Sequence, residues 1–292
     1  MKYKMFPLQL TDDFNDSPLF GKKFKDWFNC DELGINYSWD LITAIEKMIL
    51  NYFERKERML HNGVSDDFHV IGDKNRIYAK GKVLVEGKTI INTSKGPVIF
   101  GENVSLRNFN SIEGPCYIGD NSTIDSGVLR GPFICGKVCK LSGEIEESYL
   151  MDYVNKHHYG FIGHSAIGSW VNLGAGTTNS DLKNNYSTVR MFDGEQYIDT
   201  KRIKAGCIIG DHVKTAIGTM INTGTVIGPF ANIFEDIRTV KYVKPFSWGG
   251  NNETYDMEKM IENIAKVMNR RGVEPSEDYV KRVIKAYSDF SL

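Results

Sequence analysis

Three of the chain's six histidines, His157, His158 and His164, fall within the stretch DYVNKHHYGFIGHSAIGSWVNLGAGT at 152–177. Imidazole titrates near neutrality, so it can ligate a metal, act as a general acid or base, or simply pack as a neutral core group. Reach argues against one shared ion. His158 and His164 are six residues apart, and at roughly 3.3 Å per extended residue they stand up to about 20 Å from each other. The sequence also offers no Cys or His spacing of a metal site, so no metal is expected. General-base chemistry fits the neighbourhood better. A neutral imidazole takes the proton of an amine or hydroxyl as it attacks an acyl carbon, with Lys156 nearby as a cation and Asn172 as a hydrogen-bond partner.

Two glycine motifs look like phosphate loops and fail in detail. GPFICGKV at 131–138 has Val138 where a P-loop needs the Ser or Thr that ligates magnesium, and no helical pattern follows it. NLGAGT at 172–177 contains GxG without the third glycine of a dinucleotide-binding turn. Its small residues would instead let a ligand lie against the backbone.

The elements that must hold these residues show a repeat. GPVIFG begins at Gly96, GPCYIG at Gly114 and GPFICG at Gly131. A six-residue period carries Phe100, Leu106, Ile112, Ile118 and Ile124, resumes at Phe161, Ile167 and Leu173, and again at Ile203, Ile209, Thr215, Ile221, Ile227 and Ile233. Three short extended edges per turn, each sending one residue inward, make a triangular parallel β-helix. Such a stack cannot bury its ends, and the terminal helices are expected to cap them. The polar stretch 178–202 breaks the period and reads as a long functional loop leaving the prism. Residues 1–65 form a helical and linker segment, in which Leu41, Ile42, Ile45, Met48, Ile49, Tyr52 and Phe53 mark an amphipathic helix with Ser38 as N-cap. Residues 66–250 form the β-helix and 251–292 a C-terminal helical pair.

Composition narrows the function. With 292 residues and 41% hydrophobic content the chain can bury a large core, and 36 basic against 37 acidic residues leave no nucleic-acid footprint. The five cysteines, at 30, 116, 135, 139 and 207, form no CxxC pair, and MKYKMFPLQLTDDF lacks a secretory apolar core, so a reduced, cytoplasmic protein is expected. No apolar run is long enough to span a bilayer, and no membrane partner is expected.

With the repeat and the histidine segment in view, the middle of the chain resembles the left-handed β-helix acyltransferases. GPFICGK, GFIGHSAIGSWVNLGAGTTNSDLKNNYS, MINTGTVIG and SWGG are similar to the β-helical half of GlmU-family sugar nucleotidyltransferases and acetyltransferases, over about 70–250, and INYSWDLI at 35–42 resembles their interdomain linker. The resemblance implies a left-handed fold, a homotrimer, acetyl-CoA as co-substrate and a sugar phosphate or nucleotide sugar as acceptor. It places the catalytic base on His158 and the motif asparagine on Asn172, and lines the acyl-CoA groove with Gly174, Ala175 and Gly176. Arg130, Lys156 and Lys183 become phosphate contacts, His157 a neighbour in the cleft, and His164 a coil-edge residue. Phe161 stands where the family has tyrosine, Asp181 at its loop asparagine and Leu182 at the tyrosine after it, so Asp181 falls on the acceptor side. Residues 1–65 carry no glycine-rich nucleotidyltransferase loop with arginine, and nucleotidyl transfer would then belong to a separate partner protein.

The resulting expectation is CoA-dependent acetyl or acyl transfer to a sugar phosphate or nucleotide sugar. Two other readings stay open at this point. One is a non-catalytic β-helical binding or regulatory subunit of a sugar nucleotidyltransferase system, and the other is a zinc enzyme like the β-helical carbonic anhydrases.

Overall fold

The computed structural model describes residues 5–8, 13–56, 61–62, 68–250 and 253–290, so the expected boundaries at 65/66 and 250/251 each touch residues outside the described ones. Short parallel strands stack along one axis into a β-solenoid of about 10 turns, the parallel β-helix read from the repeat and, by the family resemblance, a left-handed one. One face is a 10-stranded sheet from His61–Asn62 to Tyr242–Val243, and a 12-stranded sheet from Phe68–Ile71 to Glu253–Thr254 wraps the rest.

Register explains the period. Phe100, Ile118, Cys135, Leu150 and Ile167 lie directly above one another, and the ladder continues through Ile209 and Ile227 to Val243, all inside the prism. On the second face Leu106, Ile124 and Leu141 are in register, and the next rung is Lys156. Two residues assigned to the period do not point inward. Ile162, not Phe161, pairs with the buried Ile145, and Ile203 is 54% exposed at the base of the excursion.

The 10-stranded sheet is buried on both sides, which is why its strands read as apolar triplets rather than alternating. In Val98–Phe100, Cys116–Ile118 and Phe133–Cys135 every residue is buried. The middle residues, Ile99, Tyr117 and Ile134, face outward and pack under the N-terminal segment. That segment contains helices α1 (Cys30–Leu33) and α2 (Asp40–Lys56), and α2 buries Leu41, Ile45, Met48, Ile49 and Tyr52. Each fully buried side chain of this size contributes about 1.5–3 kcal/mol. Ser38 does not cap α2. Its hydroxyl donates to the Phe6 carbonyl at 2.9 Å, while the Asp40 carboxylate accepts from the Asn36 and Tyr37 amides, each at 2.9 Å.

Neither helical region sits across an end of the prism. The N-terminal segment lies along the 10-stranded face, and α3 (Met257–Asn269) and α4 (Glu277–Phe290) lie along one corner. From Asn103 onward the residue that turns this corner has a positive φ in each coil: Asn103, Asn121, Val138, Tyr153, Trp170, His212, Phe230 and Phe246. Where the helices cover it, the ladder becomes aromatic: Tyr153 stacks on Trp170 with centroids 3.8 Å apart, His212 on Phe230 at 5.2 Å, and Phe230 on Phe246 at 5.2 Å. Phe230 and Phe246 share a core with Met260, Ile264, Met268 and Val283.

The 178–202 stretch, expected as a long functional loop leaving the prism, is an ordered excursion. Thr178–Asn179 rejoins the coil by pairing with Met220–Ile221, and Arg190–Phe192 forms an antiparallel hairpin with Tyr197–Asp199. Val189 and Met191 are buried against the N-terminal segment, and Arg202 binds Asp40 at 3.0 Å. The hairpin therefore locks α2 in place.

Candidate functional site

His157 and His158 leave the coil interior just after the buried Lys156, at the start of a corner. Lys156 sets this geometry from inside. Its Nζ donates to the Ser142 carbonyl at 2.9 Å and to the His158 carbonyl at 2.6 Å, and burial depresses its pKa to about 8. Only 2% exposed, it cannot reach a phosphate, so its expected role as a binding cation becomes one of holding the His158 backbone.

His158 itself is exposed, and its ring lies 5.5 Å from that of His157. Both line a cleft of about 390 Å³ between the coil and the C-terminal end of α3. Asn172, on the next coil, lines it too, and its Oδ1 accepts from Asn155 Nδ2 at 2.6 Å. Lys140 and Lys214 approach from the coil, and Asn263, Arg270 and Arg271 from the helix side. Sequence reasoning missed these five. Their only signal was local: basic residues after the last apolar stripe of α3, and lysines two residues past the corner position in KVCK and HVKT. Burial depresses the Lys214 pKa to about 8, and the Arg271 charge, then burial, lowers that of Lys140. Burial lowers the His157 pKa; the Asp125 carboxylate opposes this and the His158, Lys140 and Arg107 charges add to it, so the ring is neutral near pH 7.

The remaining expected residues lie elsewhere. Arg130 is on another face, paired with Glu144 at 2.9 Å. Lys183 donates to the Thr188 carbonyl at 2.5 Å within the excursion. Asp181 is bound to His164, whose Nδ1 meets Asp181 Oδ2 at 2.7 Å and whose Nε2 meets Glu147 Oε2 at 3.2 Å. Burial works against the His164 charge, but hydrogen bonds to Asp181 and Glu147 outweigh it and raise the pKa to about 9. His164 is thus a buried imidazolium and not a plain coil edge. Glu146 comes close enough to His164 and Glu147 to suggest a metal cluster, yet both ring nitrogens already face carboxylates and Glu146 pairs with Lys204 at 3.5 Å.

The Gly174–Gly176 backbone offers less than expected. The Gly174 amide donates to Thr215, 3.0 Å from its Oγ1, and the Gly176 amide to the Tyr159 carbonyl at 2.9 Å. A Cβ on Gly174 would meet the Ala216 carbonyl carbon at 2.6 Å, so that glycine serves the stacking of coils. These two amides are committed within the chain and are not donors to a thioester.

The site is thus an exposed histidine at the start of a coil corner, beside a basic cleft. The relatives are GlmU-type proteins. The chain is 27% identical over 241 residues to the bifunctional protein GlmU of Wigglesworthia glossinidia brevipalpis, covering 73% of this chain and 48% of that one. The GlmU of Thermotoga sp. (strain RQ2) is likewise 27% identical over 241 residues, with 74% and 48% covered. A bifunctional sugar-1-phosphate nucleotidylyltransferase/acetyltransferase of Sulfurisphaera tokodaii is 36% identical over 93 residues, 32% of this chain and 23% of that protein. The chain spans about half the length of the GlmU relatives or less. No protein-family model matches it. Among the described residues no helix is long and apolar enough to cross a membrane.

Proposed function

We propose that this chain is a GlmU-like acyltransferase that moves an acetyl or related acyl group from CoA to a sugar phosphate or nucleotide sugar. The observation that carries this reading is His158: an exposed imidazole at the edge of a cationic cleft, on a backbone fixed from within by Lys156. In the reaction His158 takes the proton of the acceptor amine or hydroxyl as that atom bonds to the thioester carbonyl carbon. The C–S bond then breaks, and the CoA thiolate leaves and takes up a proton. Asn172 lines the same cleft and orients the acceptor, and the surface of Gly174–Gly176 on that coil borders the groove for the acyl chain. The test is thiol release from acetyl-CoA across a panel of amino-sugar phosphates and nucleotide sugars, comparing the native chain with His158→Ala. Release that needs His158 supports the reading, and equal release from the variant overturns it.

One observation favours the alternative of a non-catalytic binding subunit. The residues expected on the acceptor side are occupied, Asp181 by His164 and Arg130 by Glu144. Ligand binding without thiol release over the whole panel would decide for that alternative.

A further inference from the structure

Several cations on this solenoid are neutralised by neighbours: Arg130 by Glu144, Arg107 by Glu86, Lys95 by Glu113, Lys204 by Glu146. The cleft beside His158 gathers cations that are not. Lys140, Lys214, Arg270 and Arg271 converge on it, none of the four forms an ion pair among the described residues, and no Asp or Glu lines it. The mutual repulsion is real, since Arg271 is the leading cause of the lowered Lys140 pKa and Arg270 contributes too. Two polar atoms of the lining residues are also orphaned, as His157 Nδ1 and Asn263 Oδ1 are buried without a hydrogen-bond partner. Lys140 and Arg270 are exposed and Lys214 and Arg271 half-buried, so the charges stay accessible, and an anion entering the cleft would meet four unpaired cations and two unmet polar atoms at once.

We infer that this cleft, closed on one side by the end of α3, binds the diphosphate of a nucleotide ligand. A volume of about 390 Å³ suits a small molecule and not a protein segment or nucleic-acid strand. Four convergent cations suit the roughly two to three negative charges of a diphosphate, and the planar fork of arginine binds phosphate oxygens in pairs. Tyr153 and Trp170, stacked 3.8 Å apart, form the adjoining apolar wall against which the nucleoside rests. Phosphate recognition thereby moves from Arg130 and Lys183 to the C-terminal helix and the lysines of neighbouring coils. The inference puts the phosphate-bearing part of the ligand into the site proposed above and to that extent rests on that reading. Both a nucleotide sugar and CoA carry a nucleoside diphosphate, so the experiment must separate them.

The test is calorimetric titration of the full chain with inorganic pyrophosphate, with a uridine diphosphate sugar and with CoA. Three variants serve as comparisons: the double variant Arg270→Ala/Arg271→Ala, the coil-side variant Lys214→Met, and a charge-matched control on α4, Lys281→Ala/Lys285→Ala. Pyrophosphate is expected to bind the native chain and the α4 control alike, and at least tenfold more weakly to both cleft variants, with circular dichroism unchanged. Competition by the nucleotide sugar alone, or by CoA alone, assigns the source of the diphosphate. Absence of pyrophosphate binding, equal binding by the cleft variants, or equal weakening in the α4 control overturns the inference. Because binding is read without turnover, pyrophosphate bound in a chain that releases no thiol overturns acyl transfer and leaves the diphosphate site standing.

Discussion

The His164 cluster and the His158 cleft belong to neighbouring coils and each contains histidine and lysine, yet their charges are arranged in opposite ways. Around His164 each charge has a partner: the imidazolium lies between Asp181 and Glu147, and Lys204 answers Glu146. Around His158 four cations share a cleft that no carboxylate lines. A closed ion-pair network holds a fold, whereas an open set of like charges awaits a ligand. Perturbed pKa values alone do not separate the two, since both regions have them, and the presence or absence of partners does.

The sharpest way to break the contrast is at His158. His158→Ala should lower thiol release by about 10²–10⁴-fold, the usual worth of a general base, with the melting temperature unchanged because the side chain is exposed. A structural loss of similar size would contradict the division into working and holding histidines. The next effect is expected at the other end of the comparison. His164→Gln removes the cation between Asp181 and Glu147 and leaves them only the more distant Lys204, and should cost about 2–3 kcal/mol, less than a fully buried pair because Glu147 is 41% exposed. Denaturant unfolding would measure this, and binding of pyrophosphate should be unchanged.

The pH profile of stability sharpens the comparison further. His164 titrates near 9 in the fold against an ordinary 6.5, so its stabilisation is complete below about pH 6.5 and is lost as pH rises through about 9. Lys156 and Lys214 sit near 8 against an ordinary 10.5, so the fold disfavours their charge. That penalty is full below about pH 8 and fades toward 10.5, and stability from these two rises over that range. Melting scans should therefore show the alkaline loss removed by His164→Gln and the opposing rise reduced by Lys214→Met. The smallest effect belongs to Arg130→Ala. Its pair with Glu144 is half exposed, so stability should change by less than about 1 kcal/mol, and pyrophosphate affinity should stay the same.

Much of the fold was legible in the chain because each coil repeats one local pattern. Leu106, Ile124 and Leu173 announced the inward ladder by spacing alone, and the apolar triplets beginning at Val98, Cys116 and Phe133 carried a further signal in their middle residues, which are buried under the N-terminal segment. The corner position went unread, and its positive φ and aromatic stacking are evident only in the folded coils. Where coil length departs from six per edge the reading slipped, which is why Phe161 and Ile203 were assigned inward. The candidate site was half visible. His157, His158 and Asn172 stand close in sequence and do share the cleft, while Lys156 carried no mark of being an interior rung.

By itself, then, the sequence determined what short-range periodicity can encode: a parallel β-helix, its turns, the amphipathic helices at either end and the adjacent histidine pair. Only the tertiary structure decided which charges meet. Lys140, Lys214 and Arg271 come from two coils and a helix widely separated along the chain, and Asp181 finds His164 across a full coil. Hydrophobic burial is set by a repeat that each residue can obey locally. Electrostatic partnership depends on distances that exist only after the coils have stacked and α3 has folded back along their corner.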